Sequence, residues 1–211
     1  MTNGIPGFDA DRRAGLATLT EWLRPRAERV LSPVARLLGR LGIHPNAITV
    51  VGFLFQVGVG LLFYLGRVRL GGLLLFIVAP LDALDGAVAR VTERDGPFGA
   101  FLDSTLDRLS DAVLIMGLAA HEYRRGELLL AALLIGALVA ALMVSYTRAR
   151  AESLGVSCKV GLLTRLERVT LAAVMSALGL TAWLAWVLAL LSAVTLVQRV
   201  AHVHRVFSRR E

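Results

Sequence analysis

Asp82, Asp85, Asp103 and Asp107 are four carboxylates placed at helical intervals, the first two three residues apart and the last two four apart. Residues at those intervals lie along one face of a helix. If the helices that carry them are antiparallel neighbours joined by a loop around residues 92–97, the two faces meet and the four acids converge. Carboxylates held that close repel each other and resist ionisation unless cations lie between them. Oxygen-only donors suit magnesium, manganese or calcium better than zinc, and four of them can hold two ions roughly 3.5 to 4 Å apart, an arrangement that clamps phosphates. Gly86 and Ala89 follow the first pair, Arg90 closes that set, and Gly99 precedes Asp103 by four. Small residues there either leave room for a nucleotide or let helices approach closely. The competing reading of the acids is a set of buried ion pairs with arginine, of which Arg108 with Asp111, three residues on, is a candidate.

The chain around these acids is an unusual host for them. Of its 211 residues, 56% are hydrophobic and 18% charged, with a mean hydropathy of +0.66, yet the net charge is +7. That composition excludes an ordinary soluble domain and points to anionic lipid or phosphorylated partners. The arginines are scattered between apolar runs rather than gathered with aromatics into one patch, which argues against nucleic acid. Apolar segments run approximately over residues 48–65, 70–89, 101–120, 128–146, 169–180 and 182–197. Most approach the roughly 20 residues that cross a bilayer. The expected fold is therefore all-α, an integral membrane bundle of six transmembrane helices. Residues 1–44 form a tail and an interfacial amphipathic helix, and residues 45–211 the catalytic domain. In that first part Leu16 to Leu41 recur at near-helical spacing among arginines, with Pro25 and Pro33 interrupting.

Eighteen of the 23 Lys and Arg residues fall on one side of this layout: seven in the N-terminal arm, Arg90 and Arg94, five in residues 148–168, and four at the C-terminal end. Arg67, Arg69, Arg124 and Arg125 fall on the other. The asymmetry puts both termini, and the ends bearing the acids, in the cytoplasm, and the absence of a continuous apolar leader predicts no removable signal peptide. Cys158 is the single cysteine and excludes an internal disulfide framework. His44, His121, His202 and His204 show no metal spacing with the acids and read as interfacial or solvated. The stretch from Pro45 to Thr49 reads as a helix start, with Asn46 as its cap.

A phosphate pocket for a second substrate is expected at the same end. Arg148, Arg168 and Arg199 end or begin three of the apolar segments, and the planar fork of arginine suits phosphate.

The pattern D-x-x-D-G-x-x-A-R, eight residues, G, three residues, D, three residues, D resembles the signature of the CDP-alcohol phosphotransferases without a departure. The six-span layout and interfacial helix are similar too. The resemblance implies two Mg2+ ions, with Mn2+ as a substitute, on Asp82, Asp85, Asp103 and Asp107; Gly86, Ala89, Arg90 and Gly99 at the CDP moiety; Asp107 as general base; and a homodimer in the cytoplasmic membrane. The run Ser145-Tyr146-Thr147-Arg148-Ala149-Arg150-Ala151-Glu152, the pair Glu167-Arg168 and the pair Gln198-Arg199 resemble the bacterial phosphatidylinositol phosphate synthases, whose basic residues at these places bind inositol phosphate. Arg148 replaces a usual lysine and Leu166 a usual proline. The implied reaction moves a phosphatidyl group from CDP-diacylglycerol to inositol phosphate. Glycerol phosphate is the alternative acceptor. A divalent-cation transporter or a noncatalytic lipid-binding protein is the alternative of another class.

Overall fold

Proline and glycine punctuate the described residues into eight helices. The computed structural model describes residues 32–209, and within them the side chain of Asp82 is not described. The helices are α1 (residues 32–40), α2 (Pro45–Tyr64), α3 (Val68–Val78), α4 (Pro80–Thr92), α5 (Pro97–Arg124), α6 (Leu128–Ser153), α7 (Arg165–Ala177) and α8 (Thr181–Ser208). No strand occurs among the described residues. Pro45, Pro80 and Pro97 each stand at the start of a helix, where a missing N–H leaves nothing unsatisfied. Pro80 explains why the expected second span is two helices. α3 ends at Val78, a turn at Ala79 keeps helical dihedrals, and α4 continues almost in line.

Among the described residues, four segments are long and apolar enough to cross a membrane: α2, α3 with α4, α6 and α8. α5 has the length, with 28 residues, but carries Asp103, Asp107, Arg108 and Asp111 within its first fifteen residues. α7 has 13 residues and is about 20 Å long, short of a hydrocarbon core of about 30 Å. Of the expected interfacial helix only residues 32–41 lie within the described part. There Ala35 is buried against Ile48, Leu84 and Val88 while Val34, Leu37 and Leu41 point outward as an apolar stripe.

α2 packs on α5, α6 on α5 and α8, and α3 on α7. Phe63, Leu75, Leu118, Leu134, Leu184 and Leu188 fill the common core. Small residues set the closest approaches, as is usual where lipid supplies no hydrophobic drive between helices. A Cβ built on Gly117 would come 2.3 Å from the carbonyl oxygen of Gly60. Because the obstacle is backbone, it cannot swing aside. Gly117→Ala is expected to destabilise the bundle by about 1–3 kcal/mol in detergent unfolding. Gly136→Ala, where a Cβ meets nothing within 4 Å, serves as the neutral control.

Candidate active site

Asp85 and the start of α5, which leads to Asp103 and Asp107, lie beside the start of α2 at one end of the bundle, an arrangement different from the expected one. α4 and α5 do not lie face to face. α2 packs against both, and its first turn stands beside the motif. Thr49 donates a 2.6 Å hydrogen bond to Asp85 Oδ2. Asn46 Oδ1 stands 3.2 Å from where a Cβ on Gly99 would be. The expectation that Asn46 caps α2 is also corrected: the N-cap is His44, whose Nδ1 accepts from the Asn46 amide at 3.2 Å. Asn46 is thereby free of the capping task, and its side chain turns to Gly99. Asn46 and Thr49 were legible as neighbours three residues apart, yet a helix start explained them equally well.

On α4, Asp85 is 5% exposed, Gly86 and Ala89 are half-buried and Arg90 is exposed. A Cβ on Gly86 would meet only Arg90 Nη1 at 3.5 Å, an ordinary contact. Helix packing therefore does not require glycine there, in contrast to Gly60, Gly72 and Gly117, whose added Cβ atoms would lie 2.3 to 2.5 Å from a neighbour. On α5, Gly99, Asp103 and Asp107 are half-buried.

Asp107 begins a ladder of charge that the sequence showed only in part. Arg165 Nη1 lies 2.9 Å from Asp107 Oδ1, and Arg165 Nε lies 3.9 Å from Asp111 Oδ1. Arg168 Nη2 donates to Asp111 Oδ2, and both side chains are nearly fully buried. Acids four apart on α5 thus meet arginines three apart on α7. The proposed pair of Arg108 with Asp111 does not form: Arg108 Nη1 donates to the Ser104 carbonyl on its own helix, and Asp111 faces α7 instead. The start of α7 fixes the arginines. Thr164 and Glu167 form a reciprocal capping box, with the Thr164 amide donating to Glu167 Oε2 at 2.9 Å. Asp111 and Arg165 are the functional candidates that sequence reasoning missed. The signal was present, since Asp103, Asp107 and Asp111 repeat every four residues and Arg165 precedes Arg168 by three.

The three acceptor arginines occupy different settings. Arg148 is exposed on α6 and pairs with Glu152 at 2.9 Å. Arg168 is buried, and its Nε has no hydrogen-bond partner. Arg199, also buried, donates Nε to the Val160 carbonyl at 2.9 Å and Nη1 to the Val144 carbonyl at 2.6 Å, tying the loop before α7 to α6 and α8. Arg199 lies within electrostatic reach of both Arg148 and Arg168. In that loop Cys158 is fully buried beside Ala151 and Val156, and burial pushes its thiol pKa up. It is an inert packing residue.

A divalent cation is tested here by donor chemistry. Among the described residues, no three His, Cys, Asp or Glu side chains form a ready ion-binding group, and the fourth motif acid, Asp82, is not among the side chains described. The donors themselves are carboxylates at one bundle end, and burying Asp85 is unfavourable unless its charge is offset. A hard cation held by oxygen ligands fits that requirement.

Comparison with known proteins agrees. The sequence model of the CDP-alcohol phosphatidyltransferases matches residues 42–198. An archaetidylinositol phosphate synthase of Pyrococcus horikoshii is 38% identical over 179 residues, 84% of this chain and 93% of that protein. A phosphatidylinositol phosphate synthase of Streptomyces avermitilis is 35% identical over 214 residues, 94% of this chain and 88% of that protein. The crystal structure of the Mycobacterium tuberculosis phosphatidylinositol phosphate synthase with CDP-DAG bound superposes with a TM-score of 0.76 at 32% identity, covering 83% of this chain and 94% of that one. The same enzyme in complex with manganese and citrate gives 0.75 at 31%, covering 82% and 88%. The chain belongs to the CDP-alcohol phosphatidyltransferase family and is a metal-dependent transferase of that family.

Proposed function

We propose that this enzyme transfers a phosphatidyl group from CDP-diacylglycerol to inositol phosphate, giving phosphatidylinositol phosphate and CMP. The observation that carries the acceptor is Arg168, a buried guanidinium whose Nε is unpartnered while Nη2 is fixed by Asp111. A buried donor without a partner is unfavourable, and an incoming phosphate satisfies it. Arg199 and Arg148 complete the pocket, the first rigid through its two carbonyl bonds and the second able to swing from Glu152. The relatives named for archaetidylinositol phosphate and phosphatidylinositol phosphate share this acceptor and differ in donor lipid.

In this reading Asp82, Asp85, Asp103 and Asp107 hold two Mg2+ ions, for which Mn2+ substitutes. When bound by these carboxylates, such ions would supply positive charge to offset that of the diphosphate. Gly86, Ala89 and Gly99 leave the surface on which the cytidine diphosphate lies, with Arg90 at its edge. Thr49 fixes the rotamer of Asp85. Asp107 takes the proton of the attacking hydroxyl, and Arg165 orients its carboxylate from the α7 side.

The chain crosses the membrane six times, with α5 and α7 as the two spans that hydropathy alone does not give. Residues 45–211 form the catalytic domain, and the arm expected to lie at the interface falls mostly outside the described residues. Both termini and the site face the cytoplasm, as the distribution of arginine supports. The working unit is a homodimer.

The test is CMP release by purified protein supplied with magnesium and CDP-diacylglycerol. Inositol phosphate is expected to support turnover, with glycerol phosphate, inositol and serine near background. Turnover with glycerol phosphate alone overturns the acceptor. No release with any of the four overturns the enzyme reading and favours a transporter or lipid-binding role. CDP-archaeol in a parallel arm identifies the donor lipid.

A further inference from the structure

The end of the bundle away from the aspartates holds a second basic cavity. It is an open depression of about 310 Å³ lined by Arg67, Arg69, His121, Arg125, Gly179 and Thr181 among others. Arg125 lies eighteen residues beyond Asp107, about 27 Å along the helical rise, so this cavity is separate from the candidate active site. Three connections meet around it: α2 to α3, the end of α5, and α7 to α8.

Its chemistry is that of an anion site. The side chains of Arg67 and Arg69, both exposed, have no hydrogen-bond or ion-pair partner among the described residues. Arg69 lies against the α7–α8 turn, where a Cβ on Gly179 would come 2.9 Å from its Nε; Gly179 has φ +76°, so the turn favours glycine twice over. α3 and α8 begin at the cavity with Val68 and Thr181, and neither start is capped by a side chain. Two sets of first-turn amides, each at the positive end of a helix dipole, therefore face the same space as the arginines. The opposing charge is Glu122, fully buried, whose carboxylate lies 3.5 Å from Arg125 Nη1 and accepts no hydrogen bond. It balances Arg125 and leaves Arg67 and Arg69 uncompensated.

Positive charge at this end runs against the distribution that sets membrane orientation, so each arginine here calls for a reason. Arg124 has one: it stacks 5.1 Å over the Tyr64 ring and donates to the Tyr64 carbonyl at 3.3 Å. Arg67 and Arg69 have none within the chain. We propose that the cavity binds a phosphate-type oxyanion, carried by the headgroup of an anionic lipid in the leaflet at that end or present as free phosphate.

The test compares wild type with Arg67→Gln/Arg69→Gln, and with Arg69→Gln alone, by thermal unfolding in a neutral detergent. Additions are phosphatidylglycerol, phosphatidylcholine or inorganic phosphate. CDP with magnesium is a control for the active site, and its shift should be equal in all three proteins. Phosphatidylglycerol is expected to raise the wild-type midpoint by a few degrees, with at least half of that shift lost in the double variant. A shift with phosphatidylglycerol and not with phosphate identifies a lipid headgroup, and equal shifts identify the free anion as sufficient. Identical responses of wild type and both variants, or a shift as large with phosphatidylcholine, overturn the proposal.

Discussion

Asp107→Asn leaves the protein folded and lowers CMP release by about 10³-fold, the middle of the range for loss of a positioned proton acceptor. The substitution keeps the size and polarity of the side chain, so the thermal midpoint in detergent should move little. It removes the negative charge that Arg165 faces at 2.9 Å and, with it, the proposed proton acceptor. The two contributions separate by pairing it with Arg165→Lys. If Arg165 serves to orient Asp107, Arg165→Lys retains partial activity with a changed pH profile, while Asp107→Asn stays inactive at every pH. An Asp107→Asn protein within tenfold of wild type removes Asp107 from the mechanism.

The second large effect is on stability. Arg168→Ala strips the hydrogen-bonding partner from Asp111, a carboxylate 6% exposed, and leaves it only the longer contact with Arg165 Nε at 3.9 Å. Loss of one partner of such a pair costs about 3–5 kcal/mol. Arg168→Met combined with Asp111→Leu removes both charges at similar volume and is expected to recover most of that loss, because a buried pair contributes little beyond well-packed apolar side chains. Urea or thermal unfolding in detergent reads both. The double variant remains inactive with inositol phosphate even where its stability is restored, which divides the structural share of Arg168 from its share in acceptor binding. A stable, fully active Arg168→Ala protein contradicts both roles.

These residues also mark how far the sequence could be read. The all-helical class and the apolar character of α2, α6 and α8 follow from composition and run length, because a bilayer demands long apolar helices. The motif acids were visible because they recur at three and four. Their surroundings were less so. Side-chain direction across helices depends on packing that no local pattern encodes, so the partner of Asp111 was assigned to Arg108 on the same helix rather than to Arg168, 57 residues on. Likewise the place of α2 between α4 and α5 arises from close glycine contacts, Gly60 against Gly117. Those contacts are specified by distant residues. A pair such as Asn46 and Thr49 has two adequate explanations until its neighbours are known.

The brevity of α7 has a consequence for how two unlike substrates meet. Its far end lies near the start of α8, and at about 20 Å it stops roughly 10 Å short of spanning a 30 Å hydrocarbon layer. Arg165 and Arg168, in its first turn, therefore stand on a ledge set below the rim of the bundle by about the missing length. A hydrophilic acceptor can descend to that ledge from water while a two-tailed donor slides in sideways, its acyl chains never leaving the oil.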